Sequence, residues 1–163
     1  SDLINPATGE VFAKAQLSVG QRLPDTGTAF VSVNNDDKAN LVPIARYLAG
    51  LGFKLLATRG TAIYLRAYGL DVDVVFKVNE GRPNIADQIV NGNIHLIVNT
   101  PLGRESFFDD RAVRRAAMMH EVPCITTLTG AAAAVSAIRA MRQQGVSVRA
   151  LQDYYAGVTA EQA

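Results

Sequence analysis

The chain has 163 residues, of which 48% are hydrophobic, and a formal net charge of +1 at pH 7. This length is sufficient for one domain with its own core, and the small net charge argues against a protein that binds nucleic acid by bulk electrostatics. Cys124 is the only cysteine, so no disulfide can form within the chain and a cytoplasmic location is expected. No apolar stretch approaches the roughly 20 residues of a membrane-spanning helix, which predicts a soluble protein without membrane contacts.

Residues 1–27 carry only a short helical pattern before Gly20 and Pro24, and we interpret them as a linker and the tail of a preceding catalytic region. From residue 28 onward, apolar segments of strand length alternate with segments of helical period, which is typical of βα units on a parallel sheet. The predicted strands lie at about 28–34, 53–57, 72–76, 94–98 and 123–127. The predicted helices lie at about 37–49, 61–68, 83–91, 109–120 and 130–144.

These elements predict a folded domain over residues 28–155, followed by a frayed C-terminus at 156–163. The first helix presents one apolar face, and Asp36 or Asp37 could cap its start. That face contains Leu41, Ile44, Ala45 and Leu48. Near-continuous apolar strands such as "HLIVN" indicate that both faces of the sheet are covered. The predicted fold is therefore α/β: a doubly wound, mainly parallel five-stranded sheet with helices on both faces in three layers.

Polar residues follow the predicted strands at the points where the strands end. In a doubly wound sheet, ligands bind beyond the carboxyl ends of the strands, so these residues should share one rim. The candidates are Ser32, Lys38, Thr58, Gly60, Thr61, Lys77, Asn99 and Thr100. Each has an ordinary structural interpretation as a helix cap, a solvated lysine or a turn residue, and their joint position on one rim favours a ligand site.

The stretch "LLATRGTAIYL" predicts the chemistry of this rim. A helix N-terminus offers unpaired N–H groups and a partial positive charge, which together can hold a phosphate. Gly60 allows close approach, Thr58 and Thr61 add hydroxyl donors, and Lys38 and Lys77 would offset the charge of a phosphomonoester. The sequence contains neither a Walker loop nor a Gly-x-Gly-x-x-Gly fingerprint.

Four segments carry a family resemblance: "FVSVNNDDK", "GFKLLATRGTA", "VFKVNEGRPNIADQI" and "LIVNTPLGRESFFDDRAVRRAAMMHEVPCITTLTGAAA". In this order they resemble the methylglyoxal-synthase-like regulatory domain that ends the large subunit of bacterial carbamoyl-phosphate synthase. The preceding "EVFAKAQLSVGQRLPDTG" resembles the stretch that joins this domain to the second ATP-using catalytic region. The resemblance implies a non-catalytic module within an ATP-dependent ligase that serves pyrimidine and arginine biosynthesis.

The resemblance also implies ligands. The family binds nucleoside monophosphates, commonly UMP as inhibitor and IMP as activator, and the matching positions are Ser32, Lys38, Thr58, Thr61, Lys77, Asn99 and Thr100. Pro101 replaces a frequent second threonine, and Arg59 replaces a frequent histidine. Asp109 and Thr126 match positions near an ornithine site of some members, although Cys124 and Ile125 replace a more polar pair. No cofactor is expected in this domain, whereas the full enzyme would use ATP with Mg or Mn and a small glutaminase subunit.

One alternative is methylglyoxal synthase itself, which shares the fold and abstracts a proton from dihydroxyacetone phosphate with a carboxylate base. Arg82 lies nearest to the position of that base, and an arginine stays protonated at neutral pH. The remaining carboxylates are Asp87, predicted in mid-helix, and Asp109, predicted as a helix N-cap. His95, His120 and Cys124 form no recognisable metal-binding pattern.

A second alternative is an interaction domain that binds another subunit. The segment "AVRRAAMMH" places Val113, Ala116, Ala117 and His120 at helical spacing. We interpret this as one core face and one solvated face, with the methionine pair Met118 and Met119 filling the core.

Overall fold

The computed structural model describes residues 23–101 and 107–143. The strands are β1 (Thr28–Ser32), β2 (Lys54–Ala57), β3 (Val72–Val74), β4 (Leu96–Asn99) and β5 (Cys124–Ile125). The helices are α1 (Lys38–Gly50), α2 (Arg59–Ala67), α3 (Ile85–Val90), α4 (Phe107–Met119) and α5 (128–143), with a 3₁₀ turn at Asn35–Asp37 before α1. Each predicted element is present, and the strands are shorter than predicted. The predicted C-terminus at 156–163 and most of the predicted linker lie outside the described residues.

All five strands are parallel and lie in the order β3-β2-β1-β4-β5. The chain runs outward from the central strand β1 to β2 and β3, and then crosses to the other side of β1 to form β4 and β5. The direction of the connections therefore reverses between β1 and β4, where Ser32 is the register partner of Asn99. This switch point is where a doubly wound sheet opens a crevice at its carboxyl edge.

The sheet separates two hydrophobic clusters, as the predicted fold requires. Successive strand residues point to opposite faces, so Val31 of β1 packs in one cluster and Phe30 in the other. The first cluster contains residues of α1, α2 and α5, including the predicted face Leu41, Ile44, Ala45 and Leu48. The second contains residues of α3 and α4, including Ile85, Ile89, Val113 and Ala117. Helices thus cover both faces of the central strands.

One edge of the second face is not covered by the described helices, which limits the prediction that both faces are buried. Lys54 of β2 and Asp73 of β3 form an ion pair at 3.2 Å, with exposed side chains. Phe76, just beyond β3, is 48% exposed. The alternation of apolar and charged residues in these outer strands matches a half-solvated sheet edge.

The predicted packing of the methionine pair is wrong. Met118 is 76% exposed and Met119 is 72% exposed, whereas Val113 and Ala117 of the same helix are buried. Residues four apart share one face of a helix, and the two methionines fall on the opposite side. The exposed His120 follows the end of α4.

Asp37 occupies the N-cap position of α1, as predicted, but its side chain makes no capping hydrogen bond. Asn34 caps the preceding 3₁₀ turn, and its side chain accepts a hydrogen bond from the backbone N–H of Asp37, the last residue of that turn. No helix of the described residues is long and apolar enough to cross a membrane.

Candidate functional site

Four hydroxyl side chains and one amide gather at the carboxyl edge of the sheet. Each of them is at least 96% buried: Ser32, Thr58, Thr61, Asn99 and Thr100. Ser32 ends β1 and Thr58 follows β2, the neighbouring strand. Their hydroxyl oxygens lie 2.9 Å apart and share one hydrogen bond. Since only one hydroxyl can donate to the other, one O–H of the pair remains for another acceptor.

Thr61 and Thr100 hold the backbone that follows β1. The hydroxyl of Thr61 accepts a hydrogen bond from the N–H of Val33 at 3.3 Å, and that of Thr100 accepts one from the N–H of Asn34 at 3.1 Å. Within residues 23–101 and 107–143, neither hydroxyl donates a hydrogen bond in return. A buried donor without an acceptor is costly, so each O–H is available to a bound group.

Lys38 and Gly60 form the cationic corner of the site. The ammonium nitrogen of Lys38 lies 3.5 Å from where a Cβ on Gly60 would stand, so the charge rests against the start of α2. The same ammonium group donates to Oδ1 of Asn35. Thr58 occupies the N-cap position of α2 but makes no side-chain capping bond. The first-turn N–H groups of α2 therefore lack a side-chain cap, as expected of an anion-binding terminus.

Asn99 approaches this corner from the other side of β1. Its Nδ2 donates to Oδ1 of Asp110, in the first turn of α4, at 3.4 Å. Both side chains are buried, with 4% and 5% exposure. This contact orients the amide, with its NH₂ group toward the accepting oxygen of Asp110.

Lys77 lies in a different electrostatic neighbourhood. Its charge acts on Asp109, whose carboxylate also accepts a hydrogen bond from the backbone of Asn79. Burial nevertheless raises the pKa of Asp109 above its usual value, because the two favourable contacts only partly offset desolvation. No hydrogen bond joins Lys77 to the buried hydroxyls in the part of the chain that the structure describes. The structure thus brings Lys38 to the predicted phosphate corner and places Lys77 beside an acidic residue.

The two carboxylates considered as bases of a methylglyoxal synthase, Asp87 and Asp109, occupy other helix positions than predicted. Asp87 belongs to the first turn of α3, where it forms a capping box with Asn84. It also pairs with Arg82 at 2.5 Å, and the pKa of Asp87 is lowered chiefly by the hydrogen bond from that guanidinium. Asp109 is the third residue of α4 and not its N-cap. A carboxylate held in an ion pair and a capping box is a weak proton acceptor, so Asp87 does not suit general-base chemistry.

The remaining candidate residues do not form a common site in the part of the chain that the structure describes. Thr126 follows β5 and is exposed, and no hydrogen bond connects it to Asp109 among the described residues. Burial raises the pKa of the Cys124 thiol to about 11, which keeps it protonated and unreactive at neutral pH. Nδ1 of His95 accepts a hydrogen bond from the N–H of Thr28 at 3.0 Å, so this histidine has a structural partner. The described residues contain no cluster of three or more metal-binding side chains.

Two contributors were not predicted from the sequence. Asn34 caps the 3₁₀ turn, donates its own N–H to Thr100, and donates from Nδ2 to the carbonyl of Pro101 at 3.1 Å. An asparagine before "NDDK" is a recognisable N-cap signal that could have revealed it. Asp110 had no such signal, because its contact with Asn99 joins the first turn of α4 to the end of β4, and no local pattern encodes that contact.

The family comparison covers the central part of the chain. A family model described as "MGS-like domain" matches residues 40–126. The chain belongs to the MGS-like domain family. The matched range contains the corners after β2 and β4, whereas Ser32 and Lys38 precede it.

Curated relatives of this MGS-like domain are much longer proteins. It is 50% identical over 91% of its length to the carbamoyl phosphate synthase large chain of Acidobacterium capsulatum, of which it covers 14%. It is 50% identical over 94% of its length to the carbamoyl phosphate synthase large chain, C-terminal section, of Methanopyrus kandleri, of which it covers 29%. It is 50% identical over 96% of its length to the large chain of Rubrobacter xylanophilus, of which it covers 15%. The chain therefore spans less than a third of each of these relatives.

Proposed function

We propose that this MGS-like domain is the regulatory section of a carbamoyl phosphate synthase large chain and binds a nucleoside monophosphate. The names of the relatives support the assignment to that enzyme, which makes carbamoyl phosphate for pyrimidine and arginine synthesis. The carboxyl edge of the sheet supports the ligand class. In this proposal the domain itself forms no covalent bond, and catalysis with ATP and Mg or Mn belongs to the remainder of the large chain and its glutaminase subunit.

The observation that carries the ligand class is the set of unused hydroxyl donors. Thr61, Thr100 and the Ser32–Thr58 pair each keep an O–H without an acceptor among the described residues, and all are at least 96% buried. Several convergent donors without acceptors match the oxygen atoms of a phosphate, which accepts but does not donate when fully ionised.

The phosphate would be held by three kinds of group. The uncapped N–H groups of α2 and its helix dipole favour a negative charge near Gly60. Lys38 supplies a full positive charge at the same place, since its ammonium rests against this glycine. The buried hydroxyls complete the shell, and the absence of a side chain on Gly60 lets the phosphate reach the helix backbone. We assign a secondary role to Lys77, because the neighbouring Asp109 partly offsets its charge.

Regulation would follow from linkage. A nucleotide that binds one arrangement of the enzyme more tightly than another shifts the population, typically by about 1–3 kcal/mol. UMP as inhibitor and IMP as activator would compete for this one site and favour different arrangements. Ornithine would be a second effector near Asp109 and Thr126, and its binding would require residues from the catalytic part of the large chain.

Titration calorimetry of the chain with UMP and IMP tests the proposal. We expect saturable binding of both, competition between them, and much weaker binding of uridine, which lacks the phosphate. Lys38→Ala should weaken UMP binding about 10- to 150-fold, the equivalent of one charge-assisted contact of roughly 1.5–3 kcal/mol. Lys77→Ala should have a smaller effect, and Lys54→Ala, at the opposite edge of the sheet, is the matched control. Equal affinity for UMP and uridine, or unchanged affinity in Lys38→Ala, would contradict the proposal.

One observation favours a second candidate function, that of a methylglyoxal synthase. Asp109 is a buried carboxyl group with a raised pKa at the carboxyl edge of the sheet, and such groups serve as general acids or bases in many enzymes. Methylglyoxal synthase activity would then depend on Asp109. Incubation with dihydroxyacetone phosphate decides between the two functions, since methylglyoxal formation that is lost in Asp109→Asn would establish the enzyme.

A further inference from the structure

A buried amide at the edge of the site has one acceptor without a partner among the described residues. Nδ2 of Asn99 donates to Asp110, and Oδ1 of the same amide receives no hydrogen bond from any residue in 23–101 or 107–143. Asn99 is 4% exposed, so this oxygen is withdrawn from bulk water. Buried acceptors are normally satisfied, and an unsatisfied one costs about 1–3 kcal/mol. Its presence at the rim indicates a place where a bound group donates.

The carboxylate of Asp110 determines which end of the amide is left over. In the structure the NH₂ group of Asn99 faces Oδ1 of Asp110, which accepts its hydrogen bond. The opposite orientation of the amide would place two oxygen atoms against each other and would lose this hydrogen bond. Asp110 thereby leaves Oδ1 of Asn99 as the atom that can accept from a ligand, whereas the hydroxyls of Thr61 and Thr100 can donate to one.

This division of roles has a chemical consequence. We infer that Asp110 is a positioning residue, and this inference rests on the proposed function. Asp110 orients Asn99 so that its amide oxygen accepts a hydrogen bond from a sugar hydroxyl of the bound nucleotide. The phosphate occupies the donor-rich side between β1 and β2, and the ribose occupies the acceptor side at the end of β4. A fully ionised phosphate has no proton to donate to Oδ1 of Asn99, whereas a ribose hydroxyl has one.

The geometry of the sheet supports this arrangement. Asn99 and Ser32 are register partners on adjacent strands, so the acceptor and the hydroxyl cluster lie side by side on the same edge. Strands in a sheet are about 4.8 Å apart, which is close to the span from a phosphate to the hydroxyls of its own ribose. One mononucleotide can therefore contact both groups.

The test compares UMP with its 2′-deoxy and 3′-deoxy analogues by calorimetry on the 163-residue chain. We expect the wild type to bind UMP about 3- to 10-fold more tightly than at least one analogue, as for one neutral hydrogen bond. Asp110→Asn supplies an amide that can donate to Oδ1 of Asn99, so this preference should fall close to 1. The exchange variant Asn99→Asp with Asp110→Asn restores an acceptor at position 99 and should restore the preference.

Controls separate positioning from general damage. Asp73→Asn, an exposed carboxylate at the edge of the sheet, should keep the wild-type preference. If Asp110→Asn fails to fold, the exchange variant still tests the inference, because it retains a hydrogen bond between the two positions. An equal loss for UMP and both analogues in Asp110→Asn would overturn the inference and leave the proposed function intact. Absence of UMP binding by the wild type would overturn both.

Discussion

The hydroxyl oxygens of Ser32 and Thr58 lie 2.9 Å apart, although the two residues are separated by 26 positions in the chain. They come from the ends of adjacent parallel strands, β1 and β2. Because the two hydroxyls share one hydrogen bond, the pair keeps a single O–H without an acceptor among the described residues. This coupling makes a measurable prediction about how the two residues contribute to binding.

Ser32→Ala and Thr58→Val should each weaken UMP binding less than about 3-fold, because the hydroxyl that remains keeps one O–H for the ligand. The double variant should lose clearly more than the product of the two, about 3- to 10-fold, because only this variant removes the last donor. Titration calorimetry measures all three affinities. Ser136→Ala on α5 is the control for hydroxyl removal, and strictly multiplicative losses would show that the two hydroxyls act independently.

Gly60→Ala should raise stability and lower nucleotide affinity. The new Cβ would stand 3.5 Å from the ammonium of Lys38, an ordinary contact, and alanine favours a helix over glycine by about 0.5–1 kcal/mol. The same methyl group would occupy the approach of the phosphate to the start of α2. Thermal unfolding and UMP titration should therefore change in opposite directions. Gly50→Ala, at the end of α1 with open space around it, should raise stability without affecting binding. If Gly60→Ala also kept full UMP affinity, a close approach of the phosphate to Gly60 would be contradicted.

Gly27→Ala should destabilise the fold strongly. Gly27 has a φ of 129°, and an added Cβ would overlap the ring of His95, whose Nδ1 accepts the N–H of Thr28. Relief of the overlap requires this hydrogen bond at the start of β1 to break. We expect a loss of about 3 kcal/mol or more in denaturant unfolding. Gly92→Ala, with a φ of 77° and no neighbour within 4 Å, should cost only about 1–2 kcal/mol from backbone strain, and equal losses would exclude the ring overlap.

The capping box of α3 should make stability depend on pH. The hydrogen bonds from Arg82 and Asn84 lower the pKa of Asp87, so its ionised form stabilises the fold at neutral pH. This contribution is present above the ordinary carboxyl pKa and is lost as the pH falls through the lowered value. Asp87→Asn should therefore lower the melting temperature at pH 7 and have little effect near pH 2, about two units below an ordinary carboxyl pKa. Asp73→Asn, which removes only an exposed ion pair, should change the melting temperature little at either pH.

Much of the fold follows from local patterns. The alternation of strand-length apolar segments with segments of helical period was sufficient to predict five βα units. The spacing of apolar residues in strands and helices can be recognised within a short stretch of sequence. The residues after β1, β2 and β4 were predicted to share one rim for the same reason, since parallel strands end at the same edge. Thr58, Thr61 and Thr100 are examples, and the structure places all three there.

Features that depend on packing between distant segments were not predictable. The contact of Asp110 with Asn99 requires the relative placement of β4 and α4, which no spacing in the sequence specifies. Met118 and Met119 were predicted to lie in the core from their composition, but the rotation of α4 about its axis exposes them. Lys77 follows the pattern of a phosphate ligand, and only the fold shows that Asp109 is near it.

The central position of β1 means that the backbone after this strand is held from both sides before any ligand binds. This strand has a hydrogen-bonded neighbour on each side, and the residues just after it are tied to Thr61 on one flank and to Thr100 on the other. For the nucleotide proposed above, a receptor held in this way should lose little conformational entropy on association, so more of the interaction energy should appear as affinity. Amide hydrogen exchange in β1 should accordingly be slow in the free protein and nearly the same in the complex.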